Sequence, residues 1–181
     1  MNKIIKLLEP EHTKYISMHI DYLERYLVPL SKGKDEWSGM KSAYGDPVAE
    51  ALLFYCKPKI EEQIGKQLRP TYSFWRTYFE GQPLKKHKDR PSCEISVTLC
   101  IDMADDADPW DIFVDAKPFK LQRGEGVVYR GCDQEHWREP LKYDWHRQIF
   151  LHYIDKNGEF YPKYEFDRRA TLYSHLVKDE E

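Results

Sequence analysis

Two histidines and one aspartate stand where they can share a metal ion. His87 and Asp89 form an H-x-D pair in the stretch Tyr78-Phe-Glu-Gly81-Gln-Pro-Leu84-Lys-Lys-His87-Lys-Asp89. His136 follows 49 positions later (136 − 87), inside Gly131-Cys-Asp-Gln-Glu-His136-Trp-Arg-Glu-Pro140. Residues two apart on an extended segment project from one face, so His87 and Asp89 can grip a single ion. Two neutral imidazoles and one carboxylate on one face of an octahedral ion leave the opposite positions open to exchangeable ligands. His146 and His152 compete with His136 for the third place, because both can face inward on one strand.

Positioning these residues requires a sheet, and the second half of the chain reads as one. Cys93–Ile101 alternates cleanly, with Ile95, Val97, Leu99 and Ile101 on one face and Glu94, Ser96, Thr98 and Cys100 on the other. An apolar face and a small polar face fit a sheet packed on helices outside and lining a cavity inside. After Pro70 the even-numbered residues Tyr72, Phe74, Arg76 and Tyr78 share a face. Shorter strands are predicted at 111–115, 120–122, 126–130 and 146–154. Their spacing suits a jelly roll.

The first third reads as helical. Tyr15, Met18, Tyr22 and Tyr26, with Leu23 and Leu27 beside them, form an apolar stripe that stops at Pro29. A second helix is predicted from an Asp46 cap with Pro47 in the first turn, ending before Pro58. A short third helix from Lys59 to Ile64 closes at Gly65. Helices first and strands afterwards indicate an α+β arrangement in one domain: a helical part over 1–67, a core over 68–155, and an extension over 156–181 whose end is a solvated helix or tail.

The chain of 181 residues is 41% hydrophobic and 14% aromatic, too apolar for disorder. Charged residues make up 33%, yet the net charge is only −3, so there is no broad basic field for nucleic acid. Cys56, Cys93, Cys100 and Cys132 form no C-x-x-C pair, and no apolar run suits a signal peptide or a membrane span. Free thiols in a reducing cytoplasm are expected.

The ordered set Tyr78-x-x-Gly81-x-x-Leu84-x-x-His87-x-Asp89, Arg123-Gly-Glu-Gly126-Val-Val-Tyr-x-Gly131 and His136-x-x-x-Pro140 resembles the Fe(II)/2-oxoglutarate-dependent oxygenases, on their prolyl-4-hydroxylase-like side. The resemblance covers residues 68–155. It implies a double-stranded β-helix (a jelly-roll, cupin-like core) with N-terminal packing helices. It also implies Fe(II) held by His87, Asp89 and His136, with 2-oxoglutarate as cosubstrate and dioxygen as oxidant. The His-x-x-x-Pro spacing favours His136 over His146 and His152. Because Asp89 is present, the resemblance implies hydroxylation rather than halogenation, with release of succinate and CO2; desaturation and ring closure stay open.

Within that resemblance, Tyr78 matches a cosubstrate-touching position. The family's cosubstrate anchor is a lysine or arginine on the strand after the distal histidine, and the matching position here is His146, ten after His136, with Arg147 next. Alternation lets only one of the two face inward, and Arg76 is a reserve cation. Arg90 and Arg138, with Arg130 nearby, are candidate contacts for a substrate carboxylate, which suggests a small molecule, amino acid or peptide. Ordinary pairing with Glu94, Glu135 or Glu139 is the alternative. Trp75, Trp110, Trp137 and Trp145 either shape a pocket rim or fill core, and the acidic loop 102–111 is either a gate or a solvated turn. The competing reading of the whole chain is a jelly-roll metal-binding or structural module without oxygenase activity.

Overall fold

The computed structural model describes residues 1–26 and 41–172. In chain order it comprises β1 (Lys3–Lys6), α1 (Pro10–Tyr26), β2 (Lys41–Tyr44), α2 (Pro47–Ile64), β3 (Leu68–Phe79), β4 (Leu84–His87), β5 (Ile95–Met103), β6 (Ile112–Val114), β7 (Lys117–Phe119), β8 (Glu125–Tyr129), β9 (His136–Arg138) and β10 (Trp145–Asp155). A six-stranded sheet runs β1-β8-β5-β10-β3-β2 and a four-stranded sheet runs β4-β9-β6-β7. Every pairing is antiparallel. Two antiparallel sheets with two N-terminal helices make the double-stranded β-helix that the family resemblance implies.

Strand alternation divides the large sheet into two faces. Val97, Leu99 and Ile101 of β5 and Ile149 and Leu151 of β10 join Ile16 and Ile20 of α1 and Leu53, Cys56 and Ile60 of α2 in one apolar core. The opposite face of the same strands, with Ser96, Thr98, Gln148 and His152, is buried but polar. One face therefore holds the helices and the other lines the interior.

Several predicted elements shift. The stripe Tyr15, Met18, Tyr22 and Tyr26 is the exposed face of α1, whereas Thr13, Ile16, Ser17 and Ile20 are buried. Thr13 and Ser17 are buried because each has a partner, Thr13 donating to the Pro10 carbonyl and Ser17 to Asp102. The end of that helix at Pro29 falls outside the described residues. The second and third predicted helices are one: α2 runs through Pro58. Asp46 caps it by accepting from the Val48 and Ala49 amides, and Gly65 closes it at φ 68°. The strand predicted at 120–122 lies at Lys117–Phe119 instead, β1 and β2 were not anticipated, and the extended segments expected to carry His87 and His136 are β4 and β9. Near the C-terminus a 3-10 turn occupies Glu165–Arg168, and the predicted terminal tail falls mostly outside the described residues.

Candidate metal centre

β4 and β9 pair so that His87 stands directly opposite His136. Their rings lie 4.2 Å apart between centroids. Asp89 follows just after β4, its amide donating to the Gly131 carbonyl at 2.8 Å. Its carboxylate lies 3.5 Å from His87 Nε2 and 3.6 Å from His136 Nε2. One ligand atom from each of the three residues falls within 4.8 Å of the others, a set that can hold a metal ion.

The other ring nitrogens are occupied. His87 Nδ1 donates to the Lys85 carbonyl at 2.7 Å, and His136 Nδ1 donates to the Gln134 carbonyl at 3.0 Å. A carbonyl can only accept, so each Nδ1 carries the proton and each Nε2 presents a lone pair to the centre. Ser96 Oγ donates to Asp89 at 3.2 Å. Burial opposes the charge on Asp89, but the neighbouring His136 and His87 side chains outweigh it and hold the carboxyl far below the usual carboxylate range. Gly131 explains the close approach: a Cβ there would sit 2.4 Å from both Asp89 Oδ2 and Ser96 Oγ.

Beside the centre opens a cavity of about 260 Å³. Its walls include Tyr72, Phe74, Arg76 and Tyr78 from β3, Tyr129 from β8, and Phe150 and His152 from β10. Tyr129 packs against the His136 ring at 4.8 Å and shares a hydrogen bond with Thr98 at 3.1 Å. Burial, with the Asp89 charge adding to it, pushes its phenol pKa well up. Tyr78 is fully buried, stacked under the Arg76 guanidinium at 3.8 Å and edge-on to Trp110 at 5.0 Å.

The two rivals for the third ligand position both face inward, in different places. His152 lies near Asp89 and Cys93, with its Nδ1 3.0 Å from Ser96 Oγ. Burial lowers its pKa to about 4, so it is neutral at pH 7. His146 lies away from the triad, 5.6 Å from the Trp110 ring, and burial followed by the Arg138 and Arg123 charges keeps it uncharged.

Arg147 is a correction. It points to the helical face, where it bonds Ser17, Asp21, Glu24 and Thr77, and it does not line the cavity. Strand alternation turns it out because His146 is turned in. Arg90 does line the cavity, over the Tyr72 ring at 4.7 Å, but both of its terminal nitrogens bond Asp167 at 2.7 Å. Asp167 also accepts from Tyr44. Nothing in the sequence pointed to this residue, which arrives from a turn 77 positions downstream of Arg90. Arg130 pairs with Asp133 at the surface rather than with the glutamates considered above.

Arg138 is buried in the interior, two residues past His136. Among the tryptophans, Trp75 is core, Trp110 lies under Arg138 and Tyr78, and Trp137 stacks on Phe113. The acidic loop 102–111 contributes no cavity wall; Asp102 ties it to Ser17 and Arg123.

No family model matches the sequence, and no curated protein matches it. Solved structures do match. The viral collagen prolyl hydroxylase of Paramecium Bursaria Chlorella virus-1, in its 2-oxoglutarate complex, is 11% identical with a TM-score of 0.63, over 84% of this chain and 94% of that one. A prolyl hydroxylase from Trichoplax adhaerens, bound to a hypoxia inducible factor peptide, is 16% identical with a TM-score of 0.64, over 86% and 84%. The non-haem α-ketoglutarate-dependent carbocyclase SnoK of nogalamycin biosynthesis is 13% identical with a TM-score of 0.66, over 97% and 85%. The chain thus has the fold of the 2-oxoglutarate/Fe(II) oxygenases. Hydroxylation and ring closure both occur on it, so the fold alone does not select a reaction.

Proposed function

We propose that this chain is a non-haem Fe(II)- and 2-oxoglutarate-dependent dioxygenase that hydroxylates an unactivated C–H bond of a small molecule or amino-acid side chain. The observation that carries the reading is the convergence of His87, Asp89 and His136 on one point beside a cavity, with both Nδ1 protons given to backbone carbonyls. Two neutral imidazoles and one ionised carboxylate are the donor set that Fe(II) takes when it must also bind a chelating acid and dioxygen. When bound, Fe(II) with 2-oxoglutarate and O2 supplies the oxidation, which leaves the substrate hydroxylated and releases succinate and CO2.

The chain's own residues prepare the place. The Lys85 and Gln134 carbonyls keep both Nε2 atoms available, and Ser96 steadies Asp89. Tyr72, Phe74 and Phe150 form an aromatic wall that excludes water and positions the substrate carbon. A cavity of about 260 Å³ suits a small molecule or a single side chain. The net charge of −3 argues for such a substrate over nucleic acid. Cys56, Cys93, Cys100 and Cys132 are all free, which suits a reducing cytoplasm, and among the described residues no helix is long and apolar enough to cross a membrane.

The test is substrate-independent turnover. Purified protein with Fe(II), 2-oxoglutarate and air is expected to form succinate slowly by NMR, and His136→Ala or Asp89→Ala to drop to the protein-free background. Variants that make succinate as fast as the wild type would remove the site assignment.

A further inference from the structure

Arg138 is 1% exposed and lies on β9, on the same strand face as His136. One terminal nitrogen donates to the Trp110 carbonyl, and the Trp110 ring lies 4.5 Å from the guanidinium carbon. Nε and the other terminal nitrogen, Nη2, have no hydrogen-bond partner among the described residues. Those two atoms form one edge of the guanidinium fork, the geometry that grips a carboxylate through two parallel bonds. A buried charge left in this condition is costly unless an anion joins it.

The surrounding groups do not supply that anion. The acidic groups whose charge would reach Arg138 are Tyr78, Cys100, Tyr129 and Asp111. Burial pushes the Cys100 thiol up to about 12 and the Tyr129 phenol well up, so both are neutral at pH 7. Asp111 makes no hydrogen bond to the guanidinium, and its own Oδ1 is buried without a partner. The guanidinium itself stays a cation at neutral pH. Tyr78 and Tyr129, both within electrostatic reach of Arg138, line the cavity, so the guanidinium lies behind that wall.

We propose that Arg138, through its Nε/Nη2 edge, binds the far carboxylate of a linear dicarboxylate cosubstrate whose other end reaches the His87–Asp89–His136 centre. This rests on the 2-oxoglutarate reading above and deepens it. The position ten past His136, where the family resemblance calls for a cation, holds His146, an uncharged ring that shares the Trp110 ring with Arg138 as a neighbour. Arg147 is committed to α1. The charge at this end of the site therefore comes from β9 in the small sheet instead of β10 in the large one.

Calorimetric titration of Mn(II)-loaded protein under argon tests the assignment without turnover. The probes are 2-oxoglutarate and 2-oxobutyrate, which share the 2-oxo acid head and differ in the far carboxylate. The wild type is expected to prefer 2-oxoglutarate by about 100-fold, the worth of a buried bidentate charge pair. Arg138→Met should erase that preference by weakening 2-oxoglutarate alone, with 2-oxobutyrate unchanged. Its melting temperature should hold or rise, because the charge it removes has no bonded anion in the free protein. Should Arg138→Met fail to fold, Arg138→Lys carries the test, with about tenfold weaker 2-oxoglutarate binding expected as the bidentate edge is lost. Arg76→Met, from the same cavity, should keep the preference. A preference that survives loss of the Arg138 fork, or that disappears in Arg76→Met instead, overturns the assignment. A wild type that binds 2-oxobutyrate as tightly as 2-oxoglutarate overturns the assignment alone, and one that binds neither overturns the oxygenase reading along with it.

Discussion

Arg147 and Arg138 are buried almost equally, at 3% and 1% exposure, one outside the large sheet under α1 and the other between the two sheets. Arg147 sits between the large sheet and α1, where all three of its nitrogens find partners in Ser17, Thr77, Asp21 and Glu24. Arg138 sits between the sheets with one nitrogen satisfied and the carboxylate-gripping edge open. A buried cation whose donors are spent within the fold fastens two elements together. One whose donors are held back keeps a place for something that is not part of the chain.

The comparison breaks most directly at Arg147. Arg147→Met should cost about 3 kcal/mol in urea unfolding, the lower end for a buried ion pair, because Asp21 remains well exposed and Glu24 keeps its bond from Thr77. Dicarboxylate binding by the folded fraction should not change. A stability-neutral variant would mean that α1 is held by its apolar contacts alone.

On the cavity side, Gly131→Ala should weaken metal affinity by about 10–100-fold, because the new methyl displaces Asp89 and Ser96, a ligand and its hydrogen-bond donor. Competition of Mn(II) against a chelator reads this out, and unchanged affinity would mean that the crowding at Asp89 is relieved elsewhere.

A smaller effect comes from His146. Its folded-state pKa lies well below the ordinary 6.5, so its contribution to stability is fully present above that value and lost as pH falls beneath it. His146→Gln should flatten the acid limb of the stability profile measured by thermal melts. An identical limb in both proteins would show that His146 accepts a proton in the folded state.

The smallest effect belongs to the helical layer. Asp46→Ala, which removes the cap bonds to Val48 and Ala49, should cost about 1 kcal/mol without touching the cavity. A change in ligand binding in that variant would couple the two regions more tightly than their contacts show.

Legibility in the sequence followed the same division. The alternation of β5 and β10 and the H-x-D pair were readable because a two-residue period is local. Whether His146 or Arg147 faced inward was not, since it depends on register with β3 and β5, set by contacts far along the chain. The bounds and register of the short strands β4 and β9 were not legible for the same reason, although their pairing is what brings His87 to His136. On α1, hydropathy picked the wrong face, because the buried side carries Thr13 and Ser17, whose hydroxyls are satisfied by partners that hydropathy does not count. Arg138 could be identified as a candidate contact, but its open edge became visible only once its neighbours were in place.

The central claim is that His87, Asp89 and His136 would hold Fe(II) and that the iron would take a chelating 2-oxo acid beside them. Anaerobic titration of the apoprotein with Fe(II) and then 2-oxoglutarate tests it directly, through the visible metal-to-ligand charge-transfer band, with His87→Ala alongside. The account predicts a band in the wild type and none in the variant. A folded, iron-loaded wild type without the band would contradict it and favour a metal-binding jelly roll that performs no oxygenation.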